Sequence, residues 1–387
     1  MLTRSVVALV FALAFAQGGL IPTAAAQSAD LRAFVGDRQA TLVVLDRAEG
    51  GTMYVLSTED GTLKKLSDEV AIQSPLLSHD GTRVVYNQSG NVYMQPLDGS
   101  ARELVTEGSE GHWWRDGQGE AWIYYTTNAK EVKLRWPDSK GVKTHRRRLS
   151  DGKDEWVIDW KVGGGASRDG RFVGAGYATV VLFDLQAGTE HLMYDKGQGQ
   201  GCNPSMSPDD SYLLMHLDLP HATFSIRDKD DRQVWSIETP AGAHEWQHPE
   251  WSTDGDFATA TVEEDNGAYS VMAVRLSTKE TLKLLDASAD ARDWTYPHLW
   301  IQSSVADVPG AVLQGSAATG GGGGGGEGTG GQPAQSGGGG GVGAGSGGER
   351  AGVDGGGGCS VSGAGVGLSW LLLAALFSLR RKWRRGR

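Results

Sequence analysis

The chain has 387 residues, a formal net charge of −11 and 58 glycines, but these figures average over unlike regions. The first 27 residues hold one base and no acid, the last eight hold six bases and no acid, and 24 of the glycines fall within residues 320–358. The remainder carries 29 Lys and Arg against 47 Asp and Glu, a net −18. Such acidity argues against a nucleic-acid partner, because nucleic-acid affinity comes largely from bases that neutralise phosphates. The glycine excess excludes a single globule.

The N-terminus has the three-part pattern of a secretory signal peptide. Arg4 precedes the apolar stretch Val6–Ala16, and the small residues Ala24-Ala25-Ala26 follow it. We predict a signal peptide over residues 1–26, with cleavage after Ala26. The apolar stretch is too short to span a bilayer.

A repeat fills residues 31–310. Ser-x-Asp-Gly or a close relative recurs with Asp-to-Asp spacings of 36, 53, 40 and 45. The five copies are Ser78–Gly81, Trp114–Gly117, Ser167–Gly170, Ser207–Asp210 and Ser252–Gly255. The residues just before each turn form the lead-in of the repeat. A sixth lead-in occurs at Tyr296–Trp300, but no turn motif follows it.

Each repeat predicts one four-stranded antiparallel sheet. Asp-Gly supplies the positive-φ position of a tight turn after a short inner strand. Apolar runs such as Arg83–Tyr86 and Val92–Leu97 follow, then a polar outer run such as Arg102–Val105. Short strands with turn signals every ten or so residues are an all-β pattern, and no helical period competes with it.

A unit of this size with four strands is typical of a propeller blade. Five repeats and the Tyr296–Trp300 start make six blades if the N-terminal strands Ala40–Leu45, Met53–Thr58 and Leu63–Leu66 complete the last one. We therefore predict an all-β fold, a six-bladed β-propeller of four-stranded antiparallel blades. The longest repeat is expected to contain an inserted hairpin around Trp136–Asp151.

Two repeat starts, Pro204–Asp210 and Pro249–Gly255, carry the Pro-x-[Trp]-Ser-Pro-Asp-Gly pattern in its fullest form. Residues 41–303 thereby resemble the TolB-like family of β-propellers, which has WD40-like repeats. The resemblance implies binding of proteins or ligands at the propeller face. Some propellers of similar sequence are enzymes, so the resemblance leaves catalysis open.

The pattern His-Glu-x-x-His occurs at His244–His248 and is formally that of zinc peptidases. That chemistry needs both imidazoles on one face of a helix. Pro249 disfavours helical geometry at His248, and Pro240 and Gly242 stand just upstream. We therefore expect this segment to be the lead-in of a blade.

The lead-in positions place a second set of polar residues near the predicted central opening: His112, Asn203, His248, Glu250 and His298. Imidazoles from three blades, His112, His248 and His298, are one candidate set of ligands for a divalent metal. Oligogalacturonide lyases resemble this arrangement in placing histidines around a manganese. The alternative is that these histidines cap the inner strands by hydrogen bonding. The residues alone assign no cofactor.

Two charged clusters have simpler interpretations. Asp228, Asp230 and Asp231 form a carboxylate-rich turn that lacks the Gly and distal Glu of a calcium loop, so a solvated hairpin tip is expected. His145–Arg148 is the basic cluster of the predicted hairpin. It is a candidate surface for an acidic polymer or an ordinary exposed charged loop.

The C-terminal part predicts a linker and a membrane segment. Residues 311–358 are too rich in glycine to bury a core, so they are expected to form a disordered linker. Val361–Leu379 has no charge and is followed by the six bases, which indicates a short span with a cytoplasmic end. Gly358 and Cys359 before this span resemble the GlyGly or myxobacterial type of C-terminal sorting tag. A plain tail anchor is the alternative.

Together these features predict an exported bacterial protein of the cell envelope, with its propeller in the periplasm or at the cell surface. Before any processing, residues 359–387 hold it in the membrane. The propeller is expected to be a non-catalytic module that binds an envelope protein or polymer. The alternative is a metal-dependent lyase or hydrolase with a central histidine site.

Overall fold

The computed structural model describes residues 24–127, 140–176, 180–193, 201–218, 221–287 and 292–302, and these are the described residues below. They lie in the first, Met1–Gly323, of two units into which the chain divides. Within these ranges no helix has the length and apolar character needed to cross a membrane. The predicted leader up to residue 23, the linker, the span Val361–Leu379 and the pair Gly358 and Cys359 fall outside the described residues.

The described residues form six four-stranded antiparallel sheets. Blade 1 takes its three N-terminal strands from β1 (Ala40–Asp46), β2 (Thr52–Ser57) and β3 (Leu63–Lys65). Blade 2 contains β4 (Ile72–Leu77), β5 (Arg83–Gln88), β6 (Asn91–Pro96) and β7 (Glu103–Glu107). Blade 3 contains β8 (Ser109–Arg115), β9 (Ala121–Thr127), β10 (Lys140–Arg148) and β11 (Asp154–Trp160).

The remaining strands follow the same order. Blade 4 contains β12 (Val162–Ala166), β13 (Phe172–Gly176), β14 (Val180–Asp184) and β15 (Thr189–Leu192). Blade 5 contains β16 (Gly201–Met206), β17 (Leu214–Asp218), β18 (Thr223–Arg227) and β19 (Gln233–Glu238). Blade 6 contains β20 (Ala243–Trp251), β21 (Phe257–Glu264), β22 (Tyr269–Arg275) and β23 (Glu280–Leu285).

The last strand, β24 (Trp294–Ile301), pairs with β1 and completes blade 1. This closure of the ring by the first and last strands confirms the six-bladed β-propeller predicted from the repeats. It also removes the free sheet edge that an open array would leave at each end.

The Ser-x-Asp-Gly repeats form the turns that follow the inner strands, as predicted, but among their glycines only Gly81 and Gly170 have the predicted positive φ. In blade 2, the Ser78 hydroxyl accepts hydrogen bonds from the backbone N–H groups of Thr82 and Arg83. Gly81 has a φ of +67°, and a Cβ there would lie 2.4 Å from the ring of Trp300 in blade 1. The turn therefore needs glycine both for its left-handed backbone and for the indole packed against it.

A helix precedes the propeller, which the sequence analysis did not predict. Helix α1 (Ala24–Phe34) turns Leu31 and Phe34 into the cluster that joins blades 1 and 6. The Phe34 ring meets Phe257 edge-on at 5.8 Å, and Arg275 donates to the Phe34 carbonyl. The predicted cleavage point after Ala26 thus falls in the first turn of this helix.

The inserted hairpin predicted around Trp136–Asp151 is wrong. β10 and β11 are the regular third and fourth strands of blade 3, and β10 pairs with β9 in continuous register from Lys143 to Arg148. The extra length of this repeat falls between β9 and β10, where residues 128–139 lie outside the described ranges. The repeat spacing revealed the extra residues but could not place them.

Candidate functional site at the central opening

The inner strands β4, β8, β12, β16, β20 and β24 each contribute residues to the lining of a central opening of about 70 Å³. The opening brings together four of the five predicted residues, His112, Asn203, His248 and Glu250. It also contains Glu110, which the sequence analysis missed. Proline rings line the opening as well, namely Pro75, Pro204, Pro249 and Pro297.

A β-bulge in the inner strands directs these side chains toward the axis. Five inner strands have a non-glycine residue with positive φ at the bulge: Ser74, Glu110, Asn203, His248 and Tyr296, with φ between 46° and 56°. The pairing register shifts at this point in every case. Such strained backbone persists only where surrounding structure imposes it, and it is concentrated at functional sites. In the sequence, four of these positions are marked only by the proline that follows them.

One carboxylate of the opening already has a cation. Lys161 Nζ lies 2.9 Å from Glu110 Oε1, and the lysine side chain is only 11% exposed. Burial acts to raise the pKa of Glu110, but the charge and hydrogen bond of Lys161 prevail and hold it below its ordinary value. Glu110 is therefore a carboxylate with Lys161 as its counter-ion.

The second carboxyl group, that of Glu250, has no such cationic partner among the described residues. Glu250 Oε1 accepts a hydrogen bond of 2.6 Å from the Ser205 hydroxyl. Burial raises the pKa of Glu250 to about 8, and the charge of Glu110 adds to this effect while the Ser205 hydrogen bond opposes it. At pH 7 Glu250 is mostly a neutral carboxylic acid.

The histidines of the opening are neutral too. Burial lowers the pKa of His112 to about 4 and that of His248 to about 3. His248 Nδ1 lies 3.2 Å from the Thr295 hydroxyl, and its ring lies 3.7 Å, centroid to centroid, from that of Tyr296. His112 is 6% exposed and packs beside Gly165.

His298 has a different role from the other two histidines. Its Nδ1 accepts a 2.9 Å hydrogen bond from the backbone N–H of Leu77, which joins blade 1 to blade 2. Burial lowers the pKa of His298 to about 3, so the ring remains an acceptor at neutral pH. This is the strand-capping role that the sequence analysis gave as the alternative to metal binding.

The three imidazoles predicted as metal ligands, His112, His248 and His298, do not form a ligand group. Among the described residues, no three His, Cys, Asp or Glu side chains are placed so that they can hold a metal ion. His298 does not line the opening with His112 and His248, and its Nδ1 is bonded to the backbone of Leu77.

Apart from His248, the other sequence motifs lie away from the opening or have internal partners. His244–His248 lies on strand β20 and not on a helix, as expected. In the acidic turn, Asp228 pairs with Arg232 at 2.7 Å and Asp230 with Lys229 at 2.8 Å. The basic cluster on β10 is neutralised by acids of blade 3: Arg146 pairs with Glu155 at 2.6 Å.

Comparisons with known proteins address the fold. No family model and no curated protein matches this chain. Among solved structures, TolB from Acinetobacter baumannii superposes with a TM-score of 0.51 at 15% identity, over 70% of each chain. The chain is a six-bladed β-propeller similar to that of TolB. This supports the predicted TolB-like fold.

Two further solved structures show weaker similarity. The putative TolB from Agrobacterium tumefaciens has a TM-score of 0.46 at 15% identity, covering 69% of this chain and 99% of its own. An oligogalacturonate lyase in complex with manganese has a TM-score of 0.41 at 13% identity, covering 63% of this chain and 78% of its own.

Proposed function

We propose that this TolB-like propeller is a non-catalytic binding module of the bacterial cell envelope, and that it takes a protein or polymer partner at its central opening. The observation that carries the proposal is the composition of that opening. His112 and Glu250 reach it from different blades with hydrogen-bonding atoms that the described residues leave without a partner. A closed ring of blades holds these groups in fixed positions, as recognition requires.

Envelope location is part of the proposal and rests on the sequence of the two ends. The predicted leader delivers the propeller across the membrane, and the segment after the glycine-rich linker holds it there, with Gly358 and Cys359 as the sorting positions. Mass spectrometry of the mature protein tests both ends. We expect Gln27 as the first residue and a C-terminus near Cys359, whereas an intact Arg387 would leave a simple tail anchor.

The competing function is a metal-dependent lyase or hydrolase that uses His112, His248 and His298. The test is elemental analysis of the purified full chain together with turnover assays on peptides and uronate oligomers, with and without added Mn²⁺ or Zn²⁺. We expect no stoichiometric metal and no turnover. Metal-dependent turnover that His248→Ala abolishes would replace the proposed function with this one.

A further inference from the structure

The charges at the central opening do not balance once both carboxyl groups are ionised. Glu110 and Glu250 both line the cavity, and the negative charge of Glu110 adds to the effect of burial in raising the pKa of Glu250. Lys161 supplies one cation, which is bound to Glu110 at 2.9 Å. Above the pKa of Glu250, one carboxyl group therefore lacks a counter-ion among the described residues.

The opening also contains hydrogen-bond acceptors that have no donor among the described residues. Glu250 Oε1 is bonded to Ser205, but within the described residues its second carboxyl oxygen has no partner. Neither ring nitrogen of His112 has a hydrogen-bond partner among these residues either, although the side chain is only 6% exposed. Glu250 is only partly buried, and both side chains line the opening, so these acceptors are available to a donor that enters it.

We propose that the central opening binds a primary ammonium group, the amino terminus or a lysine side chain of a partner polypeptide, against Glu250 and His112. This inference rests on the proposed function and names the chemistry that the opening recognises.

A primary ammonium fits the opening in donors, charge and size. It presents three N–H donors and no acceptor, which matches a carboxylate oxygen and the acceptor nitrogen of a neutral imidazole. The ion pair of Glu110 with Lys161 is an example of a carboxylate of this opening bound to a primary ammonium. A volume of about 70 Å³ admits an amine with a few methylenes, and the proline rings provide apolar walls for them.

The test is calorimetric titration of the full chain with n-butylammonium at pH 9, above the pKa of about 8 to which burial raises Glu250. Two matched probes separate the contributions. n-Butanol has the same chain without the charge, and tetramethylammonium has the charge without N–H donors. We expect binding of n-butylammonium that is at least tenfold tighter than binding of either control. Equal affinities for the three probes would overturn the inference.

A pair of variants locates the site. Glu250→Gln keeps the shape and the Ser205 contact but removes the charge, and we expect it to weaken n-butylammonium binding at least tenfold. Glu103→Gln, on the exposed outer strand of blade 2, is the matched control and should leave binding unchanged. Thermal unfolding of both variants checks that they fold.

The outcomes also separate this inference from the function on which it rests. If Glu250→Gln binds n-butylammonium as wild type does, the ammonium site is wrong, while partner binding at the opening stands. If Mn²⁺ binds with one-to-one stoichiometry and displaces n-butylammonium, the opening is a metal site, and both proposals fail.

Discussion

Two glycines of the repeated turns, Gly81 and Gly170, are individually decisive because an indole from the preceding blade packs on each. Gly170 has a φ of +69°, and a Cβ there would lie 2.4 Å from the ring of Trp114. Gly188 has a similar φ of +66° with no atom within 4 Å of its Cβ position. Alanine substitutions at Gly170 and Gly188 therefore separate the free-energy cost of a left-handed backbone from the additional cost of a steric clash.

We therefore expect Gly188→Ala to lower the free energy of unfolding by about 1 kcal/mol, the cost of a left-handed alanine. Gly170→Ala should lower it by about 3 kcal/mol, since overpacking adds to that cost. Chemical denaturation measures both. Equal losses would show that Trp114 does not rest on Gly170 in solution.

The raised pKa of Glu250 is expected to make the free energy of unfolding depend on pH. Its pKa is raised from 4.5 to about 8 in the folded protein, so the folded state holds a proton that the unfolded state releases. The stabilising contribution is fully present below about pH 4.5 and is lost as the pH rises through 8. Glu250→Gln abolishes this dependence.

The expected result is that Glu250→Gln gains stability relative to wild type between pH 5 and pH 9, by at least about 1 kcal/mol. Urea unfolding at a series of pH values gives the difference directly. A difference that stays flat across this range would mean that Glu250 ionises normally.

Helix α1 is the element that completes the joint between the first and last blades. Leu31 is fully buried there, whereas Asp30 on the same helix is exposed. We expect Leu31→Ala to cost 2–5 kcal/mol of unfolding free energy, roughly the range for buried leucines, and Asp30→Ala less than about 0.5 kcal/mol. Similar effects of the two changes would show that the helix is not docked against the propeller.

The sequence predicted the strands better than the helix for a physical reason. Strands repeat in every blade, so the five copies of the turn motif and the apolar runs that follow them identify the strands repeatedly. Helix α1 occurs once, and its burial depends on Phe257 and Leu284, more than 200 residues away. Only the folded ring brings that surface beside Leu31 and Phe34.

The central opening was predictable in part for the same reason. Counting back from each Asp gave His112, Asn203, His248 and Glu250 correctly, because the repeat fixes the register of the inner strands. Glu110 was missed since its strand lacks the proline marker. His298 was also a candidate for the opening, but it does not line the cavity, and its bond to Leu77, which crosses between blades, matches the capping role given as the alternative.

At the level of the whole molecule, the propeller fold depends on closure of the ring by β24. A chain that stops after Gln302 keeps every described strand, and one that stops after Asp293 lacks β24 and exposes the edge of β1. We expect the first to unfold in one cooperative transition and the second to aggregate, because an unpaired strand edge recruits other chains. Circular dichroism and light scattering compare them, and a soluble, cooperatively folded second chain would contradict the closure.

The most direct test of the central claim is site-specific photocrosslinking in intact cells. A photoreactive side chain replaces Asn203 at the opening or, as the control, Glu103 on the outer strand of blade 2. We predict a discrete adduct with one envelope component from position 203, reduced in the Glu250→Gln background and absent from position 103. Identical adducts from both positions, or an adduct at 203 that Glu250→Gln leaves unchanged, would contradict recognition at the central opening.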